Sequence, residues 1–222
     1  MTQPAGPDLT KCSAAAALTR PARQVHLAVL AAFTVAGQPP PRDELQRIAR
    51  AHGGDPCAAL AELAAADVIV FGADGEVRAA YPFSPVPTPI QVRWAGGPLT
   101  YAMCAIDALG MSAMLGRPVT ITAAEPGTGR IITVRTDRDQ ARWNPRSAIV
   151  FAGATCDEGS PSVDRTCGYI NFFTSVRAAR AWARRHPEVT GTVMSRQGAL
   201  NCGIADFGTL MQAPQPAGPP PR

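Results

Sequence analysis

The sequence predicts an α+β protein, with an N-terminal winged-helix-like three-helix domain followed by a second domain of mixed β-sheet and helices. Three observations predict it. Helical apolar spacing fills residues 21–66, short apolar runs between turn signals dominate after residue 90, and Pro82, Pro85, Pro87 and Pro89 separate the two textures as a stiff linker. With 222 residues and 46% hydrophobic content, the chain can bury one large core or two small ones.

The elements follow in order. Residues 1–20 read as a weakly ordered leader without chemistry. A first helix spans 21–36, carried by Val25, Leu27, Val29, Leu30 and Phe33 and stopped by Gly37 and Pro39 to Pro41. A second runs from Arg42 to Ala51. His52-Gly53-Gly54 ends it, and Asp55 caps a third that begins at Pro56 and reaches about Ala66. Residues 68–71 and 76–81 flank the turn Gly72 to Gly75 as a hairpin, completing a winged-helix pattern over 21–84. The second domain spans 85–212. Its expected strands are 90–94, 119–123, 130–135, 147–152 and 169–173, with helices around Cys104 and over 175–185. Residues 213–222 form a proline-rich tail that cannot hold helix or central strand.

Six cysteines spread without framework spacing in a chain this long read as cytosolic thiols rather than staples. No signal h-region or transmembrane run is visible, which gives a cytoplasmic expectation with no membrane partner. The formal charge of +4 is uneven: residues 1–84 carry seven Lys/Arg against eight Asp/Glu, and the remainder fourteen against nine.

The chemistry concentrates on Cys104, Asp107 and Cys167. Two thiolates that converge hold a soft metal, and a carboxyl beside them can move a proton. Residues 101–109 read as one helix, which puts Cys104 and Asp107 on a shared face at i, i+3. A thiolate and a carboxylate side by side repel, so the cluster is expected to share a proton and titrate as a coupled set.

Tyr81-Pro82-Phe83-Ser84, Leu99 to Leu109 and Leu115-Gly116-Arg117, followed by Cys167 to Ser175 and Ala181-Trp182, resemble the two catalytic segments of the alkylmercury (organomercurial) lyase family. The similarity extends over roughly 21–212. It implies protonolysis of a carbon–mercury bond to a hydrocarbon and Hg(II), with Cys104 and Cys167 as the catalytic cysteines, Asp107 as the catalytic aspartate, and all three around the mercury. It also implies no organic cofactor, external thiols that remove the product, and mercuric reductase as an acceptor of Hg(II). The sequence departs from the family at 123–127, where a further cysteine is often found, and at Gly110-Met111-Ser112, expected to alter the pocket wall.

Plainer readings stand beside these. A cysteine in an apolar segment is ordinarily a small buried hydrophobe. On that basis Cys57 is expected in the core and Cys12 inert in the leader. Cys156 in a polar loop and Cys202 in a glycine-bounded turn are incidental thiols or Hg(II) relays. The histidines match no zinc spacing. The rivals are a winged-helix metal sensor, a thiol metal store, and a related enzyme acting on another organometal or carbon–heteroatom bond. The third N-terminal helix with its flanks, 55–67, has no Lys or Arg and three acidic residues, so no nucleic-acid partner is expected. A store has no use for the proton donor Asp107.

Overall fold

The computed structural model describes residues 10–155 and 161–212. Helix α1 (Lys11–Ala16) begins behind Thr10, whose hydroxyl accepts the Ser13 N–H. Helix α2 (Arg20–Ala36) buries Val25, Val29, Leu30 and Phe33 and closes at Gly37, whose φ of 71° a glycine adopts without strain. Helices α3 (Arg42–Ala51) and α4 (Pro56–Ala65) follow, and the Asp55 carboxylate accepts the Ala58 N–H at 2.8 Å to cap α4. Strands β1 (Ile69–Phe71) and β2 (Val77–Ala80) form the expected hairpin.

The leader expectation fails for the described part of 1–20. Residues 11–16 are helical and docked, because Ala15 and Leu18 bury their side chains against the main core. The segment after Tyr81 is also not a free linker. Phe83 and Ser84 form a short strand, β3 (Phe83–Ser84), because Phe83 stacks on Phe33 with ring centroids 4.9 Å apart. The aromatic burial outweighs the proline punctuation.

Strands β4 (Ile90–Arg93) and β5 (Thr100–Ala102) precede helix α5 (Ala105–Leu115), and β6 (Val119–Ala124), β7 (Ile131–Asp137) and β8 (Gln140–Asn144) continue the sheet. Its order is β1-β2-β3-β5-β4-β6-β7-β8, antiparallel throughout. One row across it, Val92–Ile121–Val134–Trp143, is buried under α5 and its neighbours, and the next row, Arg93–Thr120–Arg135–Arg142, faces outward. That outer row holds part of the C-terminal excess of positive charge.

Strand β9 (Ile149–Ala154), helix α6 (Ser162–Arg165), a single 3₁₀ turn at Cys167–Tyr169, and strand β10 (Ile170–Phe173) come next. Helix α7 (Val176–Ala183), strand β11 (Thr190–Met194) and helix α8 (Arg196–Phe207) complete the described chain. The second sheet has the order β10-β9-β11. Its outer face carries a smaller apolar cluster of Phe151, Phe173 and Trp182 under α7. Arg177, Arg180, Arg184 and Arg185 are exposed, as expected. The whole is a mixed α+β fold.

Helix α8, β8 and β11 were not legible in the sequence. Gly198, Asn201 and Gly203 make 196–207 a poor helix by propensity, and packing overrides that preference. A Cβ on Gly110 of α5 would lie 2.3 Å from the Gly203 carbonyl oxygen and 2.7 Å from Phe207 Cδ2. The two helices therefore cross backbone to backbone. Gly110→Ala should lower stability by about 1–3 kcal/mol or more, because neither backbone can yield as a side-chain tip would; denaturant unfolding measures it, and an unchanged midpoint would contradict this crossing. Gly110-Met111-Ser112 consequently packs against α8 and β7, with the Ser112 hydroxyl donating to the Arg117 and Thr136 carbonyls, rather than forming a pocket wall.

Candidate active site

Cys104 sits where β5 ends and α5 begins. Residues 101 and 102 belong to the strand, so the helix expected over 101–109 starts instead at Ala105, with Cys104 extended at φ −152° as its N-cap. Its Sγ accepts the Asp107 N–H at 3.4 Å. Cysteine thus takes the place a serine holds in a capping box, and Asp107 the place of the acid. The pair meets through this cap rather than along a helix face.

Cys167 arrives from a different direction, on the 3₁₀ turn between α6 and β10. Cys104, Asp107 and Cys167 are 2%, 5% and 6% exposed. The two thiols line one cavity and are not joined in a disulfide. The cavity has a volume of about 170 Å³, and Lys11, Tyr81, Asp107 and Asp206 line it too. A larger groove of about 680 Å³, bordered by Arg93, Arg135 and Arg142, contains no thiol and no buried acid.

The electrostatics favour protons in the cavity. Burial pushes the Cys104 thiol well above its ordinary value, and the hydrogen bond with Cys167 and the Asp107 charge push the same way. Burial raises the Asp107 carboxyl to about 7 against the opposing pull of the Cys104 thiol and the Lys11 charge. Asp206 on α8 is raised as well, mainly by burial, although the Lys11 N–H at the start of α1 donates to it. The Tyr81 hydroxyl is held protonated by burial and by the Cys167 charge. Asp107 Oδ2 is buried without a hydrogen-bond partner among the described residues, which leaves one oxygen open toward a bound molecule.

The other cysteines stay apart. Cys57 is exposed on α4 rather than in the core, because Ala59, Leu60 and Leu63 form that helix's buried face. Cys202 lies within α8, half-buried, instead of in a turn. Cys12 is on α1, where the Thr209 hydroxyl lies 3.1 Å from its sulfur. Cys156 lies outside the described residues. Among the described residues no group of three or more His, Cys, Asp or Glu side chains is arranged as a metal cage.

Residues 83–208 match the sequence profile of a family described as alkylmercury lyase. The chain belongs to the alkylmercury lyase family. The matched span contains Cys104, Asp107, Cys167 and Asp206 and excludes Lys11 and Tyr81. An alkylmercury lyase of Staphylococcus epidermidis is 34% identical over 108 residues, covering 49% of this chain and 50% of that protein. One of Bacillus cereus is 33% identical over 132 residues, covering 60% and 59%. The chain thus spans about half to three-fifths of the length of these curated relatives. A solved structure titled as the mercury-bound form of MerB2 superposes with a TM-score of 0.71 at 25% identity, covering 90% of this chain and 95% of that one.

Sequence reasoning missed Lys11 and Asp206 and gave Tyr81 no role in the site. Lys11 carried one signal that could have been read: it is the sole lysine in a chain whose other cationic residues are all arginine. Asp206 carried none, since α8 itself was invisible.

Proposed function

We propose that this chain is an organomercurial lyase, which cleaves the carbon–mercury bond of alkyl- and arylmercury compounds by protonolysis, with Cys104, Cys167 and Asp107 as the reacting groups. The observation that carries this is two buried, unbridged thiols lining one cavity, with Asp107 beside the first, its N–H donated to the Cys104 sulfur and its carboxyl raised to about 7.

The steps balance without a redox change. Cys104 exchanges onto the mercury of R–Hg–SR′, its proton passing to the Asp107 carboxylate, and R′S⁻ leaves. That thiolate takes the Cys167 proton, and the Cys167 sulfur becomes the second mercury ligand. Asp107 then returns its proton to the carbon, the electron pair of the carbon–mercury bond forms the new C–H bond, and Hg(II) is left between two thiolates. Two external thiols remove Hg(II) and restore both cysteine protons. No organic cofactor enters any step.

A cytoplasmic setting suits this chemistry, since reduced thiols are both reactant and product carrier. Among the described residues no helix is long and apolar enough to cross a membrane. Mercuric reductase fits as the downstream acceptor of Hg(II). Residues 21–84, winged-helix-like in element order, serve on this reading as a covering element for the catalytic part at 85–212. The helix that would read DNA offers no cation on its open face, and its Glu62 accepts from the Thr19 N–H and hydroxyl, both at 2.6 Å.

The test is direct. Purified protein with excess thiol should convert methyl- and phenylmercury to methane and benzene with one Hg(II) per hydrocarbon; Hg(II) binding without hydrocarbon would instead identify a thiol store. The cavity of about 170 Å³ also sets a size expectation. It is comparable to the ~150 Å³ engineered cavity that admits benzene. Phenylmercury should therefore turn over readily and a fused two-ring arylmercury at least about tenfold more slowly in kcat/KM, a loss of roughly 1.4 kcal/mol. Equal rates would contradict this size limit.

A further inference from the structure

The cation in the cavity comes from the segment the sequence leaves out of the chemistry. Lys11 Nζ lies 2.6 Å from the Asp67 carbonyl oxygen, 2.6 Å from Asp67 Oδ2 and 3.3 Å from Ser162 Oγ. An ammonium has three N–H donors, and here each has its own acceptor. The Lys11 side chain is 17% exposed and its nitrogen stands 4.2 Å from the Tyr81 ring centroid, so the charge is partly enclosed between an aromatic face and two acceptor residues.

Those acceptors belong to distant parts of the chain. Asp67 follows α4 and is held at φ 49°, a left-handed conformation that non-glycine residues seldom keep without support. Its Oδ2 also accepts the Ser162 hydroxyl at 2.5 Å and faces the Ser162 N–H at 3.3 Å. Ser162 opens α6, and α6 leads directly into the turn that carries Cys167. Cys104, in contrast, is fixed by β5 and by the buried helix α5. The two thiols are thus anchored by different means.

We propose that Lys11 is a positioning residue: through Asp67 and Ser162 it holds α6, and with it Cys167, at the place where a mercury already bound to Cys104 acquires its second sulfur. This rests on the lyase reading given above, although its main consequence, bidentate capture of mercury, is measurable without it. Being the sole lysine is consistent with the geometry. A planar guanidinium presents its donors in a fixed fork and cannot converge three of them on this site as an ammonium does.

The experiment compares wild type with Lys11→Met, Lys11→Arg, Ser162→Ala and Asp67→Asn, the last chosen because asparagine tolerates the left-handed backbone. Three quantities are read on each folded protein: formation of the Cys104–Hg–R adduct by intact mass, hydrocarbon released in a single turnover, and resistance of bound Hg(II) to a competing monothiol. At alkaline pH, where the Asp107 carboxyl is ionised with or without the Lys11 charge, Lys11→Met should form the adduct at the wild-type rate and release hydrocarbon about 10- to 100-fold more slowly, the scale at which a displacement of about 1 Å acts. Its Hg(II) should be lost to monothiol at correspondingly lower concentration. Ser162→Ala and Asp67→Asn should show the same split, and Lys11→Arg should recover only part of it. Cys57→Ser, exposed and remote, is the unaffected control.

Wild-type hydrocarbon release and Hg(II) retention in Lys11→Met overturn the proposal, as does an equal loss of adduct formation and release. Full recovery by Lys11→Arg overturns the three-acceptor geometry. If wild type releases no hydrocarbon, the lyase reading fails, and Hg(II) retention alone then decides the role of Lys11.

Discussion

Hydrocarbon release should fall by about 10³-fold or more in Cys104→Ser and in Cys167→Ser alike, the scale seen when a covalent nucleophile is removed. Serine is nearly the same size, and both side chains are buried, so the fold should persist with little change in melting temperature. The loss comes from ligand chemistry, since a hydroxyl oxygen is a hard donor that does not compete for mercury as a thiolate does. The two variants should nonetheless differ in kind. Cys167→Ser retains the Cys104 thiol beside its acid and should accumulate the singly attached organomercury adduct, which intact mass spectrometry detects. Cys12→Ser, Cys57→Ser and Cys202→Ser should keep substantial activity. Wild-type turnover in a folded Cys167→Ser protein would remove the two-thiol mechanism.

Asp107→Asn should separate binding from catalysis. The amide keeps the shape and the backbone cap but cannot carry a proton, so Hg(II) binding should survive while hydrocarbon release drops about 10²-fold or more. The wild-type rate should rise with pH around neutrality, because the carboxyl must be ionised to take the Cys104 proton and its pKa is raised to about 7. The variant should lose that inflection. Stability gives an independent readout. Between the usual 3.8 and about 7 the folded protein keeps a proton that the unfolded chain has released, so Asp107 lowers stability progressively as pH rises through this window and fully above it. Asp107→Asn should therefore melt higher than wild type at pH 8, with the gap closing toward pH 4. A variant with wild-type rate and wild-type pH profile would place the proton source elsewhere.

The sequence showed the proposed reacting trio more clearly than the surroundings of its cavity. Cys104 and Cys167 stood out through the two segments that resemble a known family, and Asp107 also because an acid in an apolar run is unusual; the structure groups the three around one cavity. The route by which Cys104 meets Asp107 was misread, since an apolar run looks alike whether it is strand end or helix start, and the boundary at Ala105 is set by pairing of β5 with β3 and β4. Lys11 was hidden for a different reason. Its partners are 56 and 151 residues away, and no local pattern encodes contacts of that separation. Helix α8 was lost to its glycines, the same residues that let it approach α5. Elements whose periodicity serves a local face, α2, α3 and β6 among them, were legible nearly to the residue.

Strand β3, two residues long, pairs with β2 on one side and β5 on the other. Since β5 runs directly into Cys104, the hairpin that follows the N-terminal helices and the strand that presents the thiol belong to one hydrogen-bonded sheet. A hinged opening of the covering element would break that sheet and unstack Phe83 from Phe33. Traffic in and out must then use the mouth of the cavity, which α1 and α6 border through Lys11 and Ser162, rather than a swing of the whole element. Mercury would leave as it came, handed from sulfur to sulfur at that mouth, while the amides of β3 and β5 should exchange only with global unfolding.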